Sequence, residues 1–285
     1  MNKIIMALLQ ILPFAANFVI IFLTLLFITT KSFAQKSEIT KENKFLYTNV
    51  ALTGGVLTYG FINWDYGKNS YSSKSEKWFQ SDSKEGGADK TGHIYSAYLT
   101  SRLSSSLFQQ WGYSRDEAAW RGALTSFLFT STMEIGDGFS NYGASYEDLI
   151  SNSLGQVAGY ILEINPNLSQ KFDLRLEYNP INGIDKDPFT DYNRSKYLIA
   201  TKFSGFDFSR DNFTKYLEFH FGYYARGYNK FKDRTNTQRN IYAGIGINLS
   251  QILNDFSYKK TAKIFNYYQT PYSHVAAKYD FNDHQ

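Results

Sequence analysis

The sequence contains no cysteine and only 5 prolines among its 285 residues. The lack of cysteine excludes disulfides, thiolate zinc sites, cysteine nucleophiles and an acylated cysteine within this chain. Charge is nearly balanced, with 30 basic and 26 acidic residues. This balance does not favour a nucleic-acid partner, which would call for a concentrated basic face. What is abundant is aromatic: Phe, Tyr and Trp make up 18% of the chain, which excludes a disordered or low-complexity protein.

Residues 1–34 are predicted to be a signal peptide. Lys3 precedes an uncharged stretch from Ile4 to Thr30, and Ser32-Phe33-Ala34 supplies the small residues that signal peptidase requires. We expect cleavage after Ala34 and export to the periplasm or the outer membrane. The uncharged stretch is longer than an ordinary signal core, so an inner-membrane anchor formed by an uncleaved leader is the alternative.

The rest of the chain divides into a helical part, residues 35–165, and a β-rich part, residues 166–285. Ser114 and Ser145 are predicted N-caps of two helices, and Asn165-Pro166 ends the second of them. After Pro166, alternating aromatic and β-branched residues predict about four strands, near residues 172–178, 195–203, 216–226 and 239–248. We therefore predict an α+β fold, in which a bundle of about four helices precedes an antiparallel sheet of about four strands. The sheet would pack on the bundle or be seated at a membrane.

Helical spacing gives three of these helices a face of small and polar side chains. One interpretation is structural: small residues allow close helix approach, and buried polar groups satisfy one another. The other interpretation is a functional site, because acids or a histidine lie near one end of each face. The faces carry Asp89, His93, Ser96, Thr100 and Ser104; Gly122, Ser126, Thr130 and Glu134; and Asp148, Asn152, Gly155 and Gly159.

As a functional site, Asp89, His93, Glu134 and Asp137 form one constellation of nitrogen and oxygen ligands for a divalent metal, the candidate cofactor. A metal-free acid–base pair of His93 with Glu134 is equally compatible with the spacing. The candidate catalytic residues are then His93, Asp89 as its orienting carboxylate, and Glu134. The candidate ligand-binding residues are Lys90, which would contact an anion, with Asp148 and Asn152.

Three motifs resemble the YfiM-like family, an uncharacterised family of predicted bacterial envelope proteins. They are Glu85-Gly-Gly-Ala-Asp89-Lys90-x-Gly-His93, Met133-Glu134-x-x-Asp137-Gly-Phe-Ser and Gly143-x-Ser145-x-x-Asp148-x-x-x-Asn152-x-x-Gly155. The resemblance covers about residues 45–165, and segments 239–250 and 267–272 look like the longer Bacteroidota-type members. The Asp-Lys-x-x-His core is also loosely similar to VanZ-like membrane proteins. The resemblance implies export, an envelope location and a helical core that contains the motif residues, and it implies no activity or cofactor.

Two functions remain open on these grounds. The first is an outer-membrane-associated structural or binding protein, whose partner is a membrane surface and, as a further option, another protein or a second copy. The alternative is a metal- or His-dependent hydrolase or transferase that acts on an envelope lipid or a cell-wall anion.

Overall fold

A computed structural model describes residues 39–180, 187, 189–228 and 236–283 of the chain. The predicted signal peptide lies outside the described residues. In the described part, four long helices come first, as predicted, and short helices lie before and after the main strands. The helices are α1 (Lys41–Asn63), α2 (Ala88–Gln110), α3 (Arg115–Gly138), α4 (Tyr146–Ile164), α5 (Pro166–Lys171), α6 (Leu249–Asp255) and α7 (Lys259–Ala262).

The predicted N-caps of α3 and α4 are confirmed. Ser114 and Glu117 form a complete capping box, in which each side chain accepts the other residue's backbone N–H. Ser145 accepts the backbone N–H of Asp148 at 3.2 Å. The reciprocal contact is not formed there, because the Asp148 carboxylate instead pairs with Lys90. The cap sequence of α4 thus serves both the helix start and the polar cluster.

Small side chains let α2, α3 and α4 pack closely. The hydroxyl of Ser126 on α3 donates to the carbonyl oxygen of Ala97 on α2 at 2.8 Å. A Cβ atom on Gly155 of α4 would stand 2.1 Å from the carbonyl oxygen of Ile94, so only glycine fits against the α2 backbone. The stripe that the helical spacing predicts is therefore the interface that holds these three helices together.

The β-rich part forms one six-stranded sheet in the described residues, which confirms the α+β class. Its order is β5-β1-β2-β3-β4-β6; β1 pairs in parallel with β5, and the other pairs are antiparallel. The two strands beyond the predicted four come from the tail, which has few β-branched residues and gave no strand signal. The strands are β1 (Phe172–Tyr178), β2 (Ser195–Lys202), β3 (Leu217–Arg226), β4 (Gln238–Ile247), β5 (Tyr268–Gln269) and β6 (His274–Asp280).

The sheet curls so that side chains of its two ends meet. Nδ1 of His274 on β6 lies 3.4 Å from Oε2 of Glu177 on β1, although three strands separate β6 from β1 in the sheet order. The inner side of the curl is charged: Arg175 Nη1 lies 2.6 Å from Oε1 of Glu218, and Lys202 Nζ lies 2.8 Å from Oδ2 of Asp173. This sheet therefore encloses ion pairs beside a small apolar cluster of Leu198, Ala200 and Tyr242, where an ordinary antiparallel sheet encloses mainly apolar side chains.

Part of the other side of the sheet, near Tyr197 and Tyr223, packs against α2. The rings of Tyr95 on α2 and Tyr197 on β2 lie with centroids 5.9 Å apart. Tyr223 of β3 donates its hydroxyl to the carbonyl oxygen of Gly86, just before α2 begins. The strands thereby hold the N-terminal end of α2 in place.

The close approach of α4 to α2 predicts a sharp difference between two helical glycines. We expect Gly155→Ala to lower the free energy of unfolding by about 1–3 kcal/mol, because the added methyl group overlaps the α2 backbone. A Cβ atom on Gly54 of α1 would meet no other atom within 4 Å. Gly54→Ala is therefore the matched control and should stabilise the helix by about 0.5–1 kcal/mol. Chemical denaturation measures both, and equal effects at the two positions would contradict this packing.

Candidate functional site

A buried lysine lies at the centre of the candidate site. Lys90, in the first turn of α2, is 1% exposed. Its ammonium lies 2.6 Å from Asp148 Oδ1, 2.7 Å from Asp89 Oδ2 and 2.8 Å from Glu76 Oε2. The ammonium donates hydrogen bonds to Glu76 and Asp148, and Asp89 adds a third ion pair. Burial alone would lower the pKa of Lys90, but the three carboxylates outweigh burial and raise it, so the lysine stays charged.

His93 lies one turn further along α2 and contacts the other two helices. Its Nδ1 is 3.1 Å from Oδ1 of Asn152 on α4 and 3.7 Å from Oε1 of Glu134 on α3. Its Nε2 is 3.5 Å from Oδ1 of Asp148. Asn152 in turn donates its Nδ2 to Oε1 of Glu134 at 3.2 Å. One histidine thus links carboxylates from two neighbouring helices.

The loop that carries Glu76 is fixed by a second carboxylate. Glu147 accepts the hydroxyls of Ser75 and Ser145 and the backbone N–H of Lys77. Burial acts to raise the pKa of Glu147, but the hydrogen bonds from these hydroxyls lower it to about 2. An ionised Glu147 therefore holds the loop against the start of α4 and keeps Glu76 beside Lys90.

The carboxylates outnumber the positive charges, and burial raises the pKa of several of them. Burial raises the pKa of Glu134 to about 7 and that of Asp137 to about 6, and His93 opposes both shifts. Burial also raises the pKa of Glu76 to about 7, against the pull of Lys90. For His93, burial acts to lower the pKa, but Asp148, Glu134 and Asp89 prevail and raise it. The cluster therefore favours an added positive charge, either a proton or a metal ion.

Aromatic side chains from the second half of the chain cover the cluster. A Cβ atom on Gly92 would stand 2.7 Å from Cε1 of Tyr192 and 3.0 Å from the hydroxyl oxygen of Tyr197. Gly92 lies between Lys90 and His93, so these two rings close the site on the side of the sheet. Glycine at position 92 is what allows the rings to approach this closely.

The structure brings most of the predicted site residues together. Asp89, Lys90, His93, Glu134, Asp148 and Asn152 share one cluster at the end of the bundle. The groupings differ from those predicted. Among the described residues, two sets of three have ligand atoms within 4.8 Å of one another: His93, Glu134 and Asp148, and Glu76, Asp89 and Asp148. Asp148 thus takes a ligand position next to His93, Asp89 faces the ammonium of Lys90, and Asp137 belongs to neither set.

Two parts of the site were missed at the level of sequence. Glu76 lies in a polar loop without periodicity, so nothing in the sequence marks it as a partner of Lys90. Tyr192 and Tyr197 come from a region that predicts only loop and strand, and their contact with Gly92 depends on how the sheet docks on α2. The sequence signal that could have pointed to them is the glycine between Lys90 and His93.

Residues 75–164 of the 285 match the family model described as Predicted periplasmic lipoprotein (DUF2279). This segment contains the motif residues of the cluster. The match supports an uncharacterised family of envelope proteins and an exported, periplasmic location. No curated protein and no solved structure matches the chain.

The central position of Lys90 predicts a large loss of stability on its removal. We expect Lys90→Met to lower the free energy of unfolding by about 3–5 kcal/mol, because two buried carboxylates and a largely buried third lose their shared partner. Lys68→Met is the matched control, since Lys68 pairs with Asp65 at the exposed surface and should cost about 0–1 kcal/mol. Urea denaturation of both variants measures the difference. Similar small effects would show that the cluster does not depend on this ammonium.

The raised pKa values predict that stability falls as pH rises. A carboxyl group with a higher pKa in the folded protein than in the unfolded chain binds its proton more tightly when folded. The contribution of Glu76 is therefore complete below its unfolded pKa of 4.5 and is lost as pH rises through about 7. Glu134 and His93 act in the same direction. In the presence of a chelator, the urea midpoint should be higher at about pH 5 than at about pH 8.

Glu76→Gln tests the source of this pH dependence. The amide keeps the shape of the side chain but does not titrate, so the variant should show a smaller fall between the two pH values. A wild-type midpoint that rises towards about pH 8 would contradict the sign derived from these groups.

Proposed function

We propose that this protein is an outer-membrane-associated binding protein that contacts lipid directly with its own apolar side chains. The observation that carries the proposal is an inverted distribution of polarity. Among the described residues, buried polar side chains outnumber buried apolar ones, while many large apolar side chains are exposed. Water favours the opposite arrangement, whereas lipid favours this one.

The helices show the inversion along single elements. On α3, Ser126, Thr130 and Glu134 are buried, while Phe127 is 45% exposed and Ile135 is 59% exposed. A helix on the surface of a water-soluble bundle has its apolar stripe inside and its polar stripe outside. In membranes, by contrast, small and hydroxyl residues form the helix–helix interfaces and apolar residues face the acyl chains.

Helix α1 supports the same interpretation. Within the described residues, it is the helix whose length and apolar composition would suffice to cross a bilayer, and 28% of its most apolar window is buried. It packs against α3, while Val50, Phe61 and Ile62 remain exposed. One side of this bundle helix is therefore open and apolar.

The strands of the sheet show the same inverted polarity in their alternating residues. On β3, Glu218 and His220 point to the buried side, and Phe219 and Phe221 point to the exposed side. Ile199 lies directly opposite Phe221 in the register of β2 and β3, and it too is exposed. Alternation with polar residues inside and apolar residues outside is the pattern of a sheet that faces lipid.

The family description adds a second line of support. Proteins of the matched family are described as predicted periplasmic lipoproteins, a description that suggests membrane association. The 285 residues of this chain contain no cysteine to carry an acyl group. Direct contact of the apolar surface with lipid would supply the attachment that acylation supplies elsewhere.

A binding function is better supported than the hydrolase or transferase alternative. The side chain of His93 is 12% exposed and that of Asp148 is 8% exposed. Tyr192 and Tyr197 cover the cluster, so a cell-wall polymer or a lipid headgroup has little room to reach the imidazole. A buried cluster of this kind suits a small ion and the fixing of three helices more than it suits attack on a large substrate.

Vesicle flotation tests the proposed lipid contact. The purified protein, transferred from detergent, should float with vesicles of phosphatidylethanolamine and phosphatidylglycerol. Phe221→Lys on β3 and Leu154→Lys on α4 should each weaken binding about tenfold or more, because a charge on a lipid-facing position costs about 2–4 kcal/mol near the middle of the bilayer. Ser70→Lys, in an exposed polar loop, is the control and should bind as the wild type does.

Two results would contradict the proposed lipid contact. A wild-type protein that stays in solution without detergent and fails to float would overturn the proposal. A stable soluble oligomer would do so as well, since it would show that a second copy covers the apolar surface.

A further inference from the structure

The cluster contains two sets of potential metal ligands, and they differ in how their negative charge is balanced. The Lys90 ammonium already lies among Glu76, Asp89 and Asp148 and supplies the positive charge there. Among the described residues, Glu134 forms no salt bridge with a lysine or arginine and lies beside His93 instead. Asp148 belongs to both sets, because its Oδ1 contacts both Lys90 Nζ and His93 Nε2. The second set therefore brings an imidazole and two carboxylates within 4.8 Å of one another, and only one of these carboxylates has a lysine partner.

The contacts of the His93 imidazole indicate that this position suits a cation. Its two nitrogens face two carboxylates, Nδ1 at 3.7 Å from Glu134 Oε1 and Nε2 at 3.5 Å from Asp148 Oδ1. A neutral imidazole has a single N–H, so one nitrogen must present its lone pair to a carboxylate. Nδ1 faces Oδ1 of Asn152 at 3.1 Å, so in the neutral imidazole the N–H lies on Nδ1 and the Nε2 lone pair faces Asp148. A cation at Nε2 would lie between this lone pair and the Asp148 carboxylate, whose Oδ1 also contacts the Lys90 ammonium.

We propose that His93, Glu134 and Asp148 bind one divalent transition-metal ion, for which zinc is the best match. One imidazole nitrogen with two carboxylates suits zinc, whereas magnesium prefers an all-oxygen environment. The three ligands come from α2, α3 and α4, so a bound ion would cross-link the bundle. The proposal does not rest on the proposed lipid contact, because no ligand belongs to the apolar surface.

Asn152 is a positioning residue for this site. It donates its Nδ2 to Glu134 Oε1 at 3.2 Å and places its own oxygen against His93 Nδ1. Both contacts orient a ligand without occupying a ligand position. Removal of such outer contacts typically weakens metal binding by about 10–100-fold.

Titration calorimetry with zinc chloride tests the proposal on the purified protein in detergent, after metal has been removed with a chelator. We expect one zinc ion per chain, bound more tightly than magnesium by about tenfold or more. His93→Gln and Glu134→Gln should each weaken zinc binding by more than the about 10–100-fold loss expected for Asn152→Leu, because they remove ligands. His274→Gln, the same replacement on β6, is the control and should leave the affinity unchanged.

Zinc should also raise the melting temperature of the wild type and not that of His93→Gln, since only a bound ion can cross-link the helices. Far-ultraviolet circular dichroism verifies that each variant is folded, and either of the two ligand variants suffices if the other does not fold. Absence of zinc binding by the folded wild type overturns the proposal, as does equal zinc affinity in His93→Gln. Vesicle flotation without zinc is read separately, so a failure of lipid contact is distinguishable from a failure of metal binding.

Discussion

The contact of buried Lys90 with three carboxylates constrains the rest of the cluster. The pair of Lys90 with Asp148 fixes the starts of α2 and α4 relative to each other. Residues three or four positions further along a helix lie on the same face, so the same contact sets His93 opposite Asn152. Glu134 then completes the group from α3. Desolvation of these charges is costly, and the close, matched geometry around the ammonium is what offsets the cost.

Because the interior is polar, the large apolar side chains lie on the outside of the molecule. Serine, threonine and glycine fill the contacts between α2, α3 and α4, so the large apolar side chains of these helices have no inner space to fill. The curled sheet repeats the arrangement, with the Arg175–Glu218 ion pair inside and Phe219 and Phe221 outside. Helices and sheet therefore both have polar side chains inside and large apolar side chains outside. A local irregularity in one element would not produce the same distribution in both. The proposed contact with lipid would account for both.

The sequence predicted the helices and strands better than it predicted which residues they contact and which of their faces are buried. Helix starts at Ser114 and Ser145 follow from local capping chemistry, and the shared face of Asp89 and His93 follows from helical periodicity. Glu76 could not be predicted, since a loop residue carries no periodic signal. Alternation identified β1 and β3, but period-two patterning does not say which face of a strand is inside. The curl that buries Glu218 and exposes Phe219 is a long-range property of the whole sheet.

The second half of the chain completes the site that the first half supplies. The family match ends at residue 164, and the charged groups of the cluster lie within it. Tyr192 and Tyr197, which close the cluster over Gly92, lie beyond it. Tyr192 and Tyr197 leave no room for a Cβ atom at position 92, between Lys90 and His93. The sheet of this chain thus supplies two tyrosine rings that close one side of a cluster whose charged groups all come from the first half.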